Sequence, residues 1–184
     1  MNVWINLVLY QATWLAAVAG AGRGLWWPGL AVLAVFSVLQ LSFSEWRRAD
    51  ACLFIGVSLL GFVLDSTFVQ IGLMQFRAAV PWPGLAPVWM VALWTSFALT
   101  LNHSLAFLQG RPLLSTLLGA IGAPLAYWAA GRGWHAVDFP LGVAPMLGAT
   151  AITWAFLMPL LSRAAVRLRV LDATAMHSLL QAKP

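Results

Sequence analysis

Apolar runs of close to twenty residues, separated by short stretches carrying Gly, Pro and Arg, follow one another along the whole chain. A helical membrane span needs roughly 20 predominantly apolar residues. Six runs read as spans, at about 2–21, 28–44, 51–74, 86–108, 112–130 and 140–162. Most connections are tight (GAGRGLWWPG, SEWRRAD, QGRP, GRGWHAVDFP), and only QFRAAVPWPG has room for an excursion along the interface. The pattern predicts an all-α integral membrane protein whose six transmembrane helices form three consecutive helical hairpins. Residues 1–162 are the transmembrane domain, and 163–184 form a basic amphipathic tail drawn to anionic headgroups on the cytoplasmic side. The opening MNVWINLVLY lacks a basic stretch, so the first run reads as a retained span and not as a cleaved signal.

Composition strengthens this picture. The chain is 62% hydrophobic and 8% charged, against about 25% charged residues in a soluble domain. So much apolar surface has no interior to fill in 184 residues, and lipid must be its solvent. The eleven tryptophans suit the two membrane interfaces. A net charge of +5 would suggest nucleic acid in a soluble protein, but here the cations sit between apolar runs and report orientation instead. Arg47, Arg48, Arg111, Arg163, Arg167, Arg169 and Lys183 lie on the side that holds both termini, while Arg23, Arg77 and Arg132 lie on the other. This imbalance puts both termini in the cytoplasm. The lone Cys52 excludes an internal disulfide, and no metal or cofactor motif is present.

The pentapeptide WPGLA occurs at Trp27–Ala31 and again at Trp82–Ala86. Proline suits the first turn of a helix, so Pro28 and Pro83 mark the starts of the second and fourth spans. Phe139-Pro140-Leu141-Gly142 is a looser version before the sixth. Arg23, Arg77 and Arg132 keep a spacing of 54 and 55 residues, and Gly22-Arg23-Gly24 returns as Gly131-Arg132-Gly133. A threefold internal repeat of about 55 residues is one explanation. The other is that any hairpin tip gathers Trp, Pro and Arg.

The polar residues that lipid should exclude are the candidates for function. Asp65 is the most costly, at about 2.5–3.5 kcal/mol for an ionised carboxylate at a helix centre. It is expected to be neutral or bonded to Gln11, Thr95 or Ser96; Gln11 and Asp65 each lie twelve residues before the arginine of their hairpin. Asn102 and His103 lie deeper, toward the cytoplasm, with Asn6 as their expected partner. On a continuous fourth helix His103 shares a face with Ser96 and Thr100, and that strip is expected to line a groove facing the cytoplasmic leaflet. A direct Asp65–His103 bond is not expected. The small residues Ser115, Gly119, Gly122, Ala123, Ala126 and Ala130 form a stripe on the fifth span, suited to close packing or to a cavity wall.

The strings Asn6-Leu-Val-Leu-Tyr-Gln11, Leu60-Gly61-Phe-Val-Leu-Asp65, Pro87-Val-Trp89-Met-Val-Ala-Leu-Trp94 and Leu101-Asn102-His103-Ser104-Leu105, with Gly110-Arg111-Pro112, resemble a bacterial family of small inner-membrane proteins known only as a domain of unknown function. The resemblance runs over nearly the whole chain. It implies lipid chemistry, because members are often encoded beside cyclopropane-fatty-acid-synthase-like methyltransferases, but it brings no catalytic residues. The leading expectation is a non-catalytic subunit that binds lipid or anchors a lipid-modifying enzyme. Its partners would be membrane lipids and a membrane or peripheral protein, with no nucleic acid. Two alternatives stand beside it: a small proton-coupled transporter using Asp65, and an intramembrane lipid-acting enzyme using His103 with Asn102.

Overall fold

The computed structural model describes residues 2–181; Met1 and the end of the expected tail, Lys183 included, lie outside the described residues. Six helices make an all-α fold: α1 (Val3–Gly22), α2 (Pro28–Phe43), α3 (Arg47–Gln70), α4 (Val88–Ala98), α5 (Pro112–Trp134) and α6 (Val143–Gln181). Four of them, α1, α3, α5 and the stretch Val143–Thr174 of α6, are long and apolar enough to cross a membrane. The helices α2 and α4 are apolar but shorter.

Local chemistry sets the boundaries. The Trp4 N–H donates to the Asn2 side chain at 2.9 Å and caps α1. Pro28 occupies the first turn of α2 as expected, where the missing N–H costs nothing. The second WPGLA behaves differently. Pro83 lies in a turn, Gly84 takes φ +96°, and the helix begins only at Val88 after Pro87. Gly29 in the first copy is helical and so close to α1 that a Cβ would stand 2.4 Å from the Ala17 Cβ. Identical pentapeptides thus serve one helix start and one loop, because their neighbours differ.

The fourth apolar run is not one helix over 86–108. α4 stops at Ala98 after eleven residues, and turns and a short 3-10 segment (Ala106–Leu108) carry the chain to α5. Hydroxyls explain the break. Thr95, Ser96 and Thr100 donate back to the carbonyls of Val91, Leu93 and Phe97, and the Asn6 amide takes the Leu99 carbonyl at 2.9 Å. Each occupies an acceptor that a helical ladder would use. Irregular backbone at such depth is tolerated where protein buries it, and Leu99, Leu101, Asn102 and Leu108 are buried.

Two short strands, β1 (Gln75–Phe76) and β2 (Val137–Asp138), pair antiparallel and tie the loop after α3 to the loop after α5. The Trp89 indole N–H donates to the Arg77 carbonyl at 2.8 Å and fixes the same end of the bundle. Trp26, Trp27 and Trp82 are exposed there, as interfacial tryptophans would be. At the opposite end α6 continues past Arg163 without a break. Ala165 and Asp172 are buried on this extension, and Asp172 accepts the Ala49 N–H in the first turn of α3 at 3.3 Å. A carboxylate suits that place, since the first N–H groups of a helix lack partners.

Candidate functional site

Three helices meet on the carboxylate of Asp65. One turn earlier on α3 stands Gly61, and because it has no side chain the Trp94 indole of α4 lies against the helix. A Cβ at Gly61 would be 2.0 Å from Trp94 Cγ. From that position Trp94 Nε1 donates to Asp65 Oδ2 at 2.7 Å, and the Tyr127 hydroxyl of α5 donates to Oδ1 at 2.6 Å. Asp65 is fully buried. Two donors to a carboxylate offset part of the cost of removing it from water. On the other side of Trp94, Trp154 of α6 stacks at 4.8 Å between ring centroids, with Phe97 edge-on to it at 5.3 Å.

The expected partners of Asp65 are therefore not its partners. Thr95 is bonded to Ser58 at 2.6 Å and to the Val91 carbonyl, and Ser96 to the Leu93 carbonyl. Gln11 is exposed at the mouth of a cavity. Trp94 and Tyr127 read as apolar in a hydropathy pattern, although each carries one donor that seeks an acceptor when buried.

Trp94 and Tyr127 also wall that cavity. It has a volume of about 560 Å³ and lies between α1, α4 and α5, with Trp154 and Met158 of α6 at its base. Ligand pockets commonly fall in the ~300–1,000 Å³ range. Its lining on α5 runs from Leu118 to Ala130, twelve helical steps or about 18 Å of helix. Gln11 on α1 and Leu118, Gly122 and Leu125 on α5 are exposed at its rim, so it opens sideways between these two helices. The small-residue stripe divides between its two expected roles. A Cβ at Gly119 would be 2.3 Å from the Trp154 carbonyl oxygen, so that glycine serves close packing of α5 on α6. A Cβ at Gly122 would meet nothing within 4 Å, and Gly122, Ala123, Ala126 and Ala130 line the cavity.

A second polar centre holds the broken segment after α4. Asn6 accepts from the Ser104 hydroxyl at 2.5 Å and from the Ser104 N–H at 3.3 Å; its amide donates to Gln40 Oε1 and to the Leu99 carbonyl, both at 2.9 Å. Asn6 thus lies beside the Asn102–His103 pair but bonds to their neighbours. Both members of the pair turn to Asp50, which lies in the first turn of α3 and not in the connection SEWRRAD. Asn102 Nδ2 donates to Asp50 Oδ1 at 2.9 Å, while His103 Nε2 at 2.8 Å and the Ser44 hydroxyl at 2.6 Å meet Oδ2. The His103 side chain is 11% exposed and lines no part of the cavity. The expected strip of Ser96, Thr100 and His103 does not form, since it required the helix to continue. Gln109 links the Leu101 carbonyl to Arg169 of α6, whose guanidinium lies 5.6 Å over the Trp46 ring.

Asp50 had a readable signal: an acidic residue in the first turn of a helix, next to Ser44 and facing a run of buried polar residues. Asp65 and His103 remain apart, each with its own partner. No curated protein and no solved structure matches the chain. A family model described as "Protein of unknown function (DUF2878)" matches residues 3–160, and the chain belongs to that family.

Proposed function

We propose that this protein is a six-pass bacterial inner-membrane protein, built as three hairpins with cytoplasmic termini, that holds the apolar chain of a lipid or lipid-like amphiphile. In that role it is a non-catalytic subunit that presents or retains lipid beside a lipid-modifying enzyme. The observation that carries the reading is the cavity of about 560 Å³ that opens sideways between α1 and α5. Its length along α5 suits a chain lying parallel to the helices, and its apolar lining suits a hydrocarbon. The segment 99–108, with Leu99, Leu101, Asn102 and Leu108 buried, lets the short α4 complete a fourth pass. The excess of cations at the end that holds both termini supports their cytoplasmic placement. The Asp50 centre fits a structural role, because both oxygens of the carboxylate are already bonded to donors that hold the broken segment.

Photo-crosslinking tests this reading. Phospholipids with a diazirine near the acyl terminus are incorporated into nanodiscs with the protein, irradiated, and the labelled peptides mapped. Labelling should concentrate on residues 118–130 and 10–18. Gly122→Trp, at a position where a Cβ meets nothing within 4 Å, should fill the cavity and abolish it. Labelling that is indifferent to Gly122→Trp, or no stronger than at the exposed Val38 and Phe156, would refute the proposal.

A further inference from the structure

The wall of the cavity, and the group behind it, bear on the charge of whatever it holds. Six aromatic residues line it: Tyr10, Trp14, Trp94, Phe97, Tyr127 and Trp154. Among the described residues no Lys, Arg, His, Asp or Glu lines it. Directly behind two of the rings lies Asp65, hydrogen-bonded to Trp94 Nε1 and the Tyr127 hydroxyl, and no cationic side chain among the described residues pairs with it.

Aromatic rings attract cations through their quadrupoles, most strongly where water is excluded. A ring whose N–H or O–H donates to a carboxylate is polarised so that negative charge spreads onto the ring, as in any chain of hydrogen bonds. The carboxylate itself adds a charge that low-dielectric surroundings screen little. A phosphate-bearing headgroup would need the opposite equipment, Arg or Lys donors within reach, and the lining offers none.

We infer that the cavity selects a lipophilic organic ammonium ion, a single positive charge on an apolar chain. The ammonium group sits against Tyr127 and Phe97, with Trp94 held behind them by Gly61 and Trp154, and the chain follows α5 toward Leu118. This inference rests on the reading of the cavity as a chain-binding site and adds the charge of the ligand to it.

The test uses the full-length protein in nanodiscs and three chains that differ only in their heads: 10-bromodecyltrimethylammonium, 10-bromodecanol and 10-bromodecyl sulfate. Bromine quenches tryptophan fluorescence, and the Gly122→Phe variant, which fills the cavity without adding a tryptophan, supplies the baseline for chains merely dissolved in the bilayer. The cationic chain should bind the cavity about 3- to 30-fold more tightly than the neutral one, with the sulfate weakest. Asp65→Asn should erase most of that preference, and Phe97→Leu, which leaves both Asp65 hydrogen bonds in place, should reduce it if Asp65→Asn does not fold. Equal affinity for all three chains, lost together in Gly122→Phe, overturns the charge inference and leaves the cavity reading intact. Quenching insensitive to Gly122→Phe overturns both. A cationic preference unchanged in the substituted proteins overturns the assignment to Asp65 and the rings.

Discussion

Replacing Gly61 with alanine adds one methyl group at the tightest contact of the Asp65 centre. The added Cβ would stand 2.0 Å from Trp94 Cγ, 2.1 Å from Cδ2 and 2.4 Å from Cδ1. Ordinary contact begins at 3.4 Å, so the indole must retreat by about 1.4 Å, the difference between 3.4 and 2.0 Å. Trp154 is stacked behind it at 4.8 Å and leaves little room. A retreat of that size also pulls Nε1 away from the carboxylate it meets at 2.7 Å. Overpacking costs ~1–3 kcal/mol, and an interhelical hydrogen bond in a membrane protein is worth ~0.6–1.7 kcal/mol. Helix propensity acts in the other direction, since alanine is favoured over glycine by up to ~1 kcal/mol. Gly56→Ala removes that complication. It makes the same change on the same helix, at a site where a Cβ meets nothing within 4 Å. The two variants should differ in stability by ~2–5 kcal/mol, Gly61→Ala being the weaker, as measured by reversible SDS unfolding from bicelles. In a Trp94→Ala background the difference should disappear. Agreement of the two variants within about 0.5 kcal/mol would show that Trp94 does not pack on Gly61 as described.

Other substitutions should separate the second polar centre into parts. Asp50→Ala leaves the donors of Ser44, Asn102 and His103 unpaired, at ~1–3 kcal/mol for each buried donor; it should therefore destabilise more than His103→Ala in the same unfolding assay. Asn6→Leu removes the groups that hold Ser104 and the Leu99 carbonyl and should cost several-fold more than Gln40→Leu. Gln40→Leu leaves one buried Asn6 N–H unpaired but also removes the Gln40 Nε2, which is buried without a partner, so the two effects offset and the loss should stay below ~2 kcal/mol. For the topology, reporter fusions after Pro184 and in the loop near Val80 should give opposite locations, cytoplasmic for the first; a periplasmic C-terminus would sink the proposed orientation.

Much of the helical frame was legible because lipid-length apolar runs and proline at a helix start are local signals, as Pro28 shows. Asp65 stood out for a similar reason: a carboxylate in an apolar run must find donors, whatever the fold. Its actual donors were hidden, because Trp94 and Tyr127 enter a hydropathy pattern as apolar residues and reveal their N–H and O–H only once buried. The break after Ala98 was hidden too. Residues 86–108 are apolar enough to read as one span, and hydropathy records the solvent a residue prefers, not the continuity of the backbone through it. The hydroxyls of Thr95, Ser96 and Thr100 are local, but the amide that takes the Leu99 carbonyl comes from Asn6, 93 residues earlier, and no local window contains both. The two misreadings have one cause. In each case a buried polar contact joins positions distant in sequence, and the residues it recruits are chosen by helix packing. The same packing leaves α1 and α5 apart where the cavity opens. A site built from apolar rings with its charge concealed behind them therefore has no motif to display, and the cation preference of the cavity is the property on which that account stands or falls.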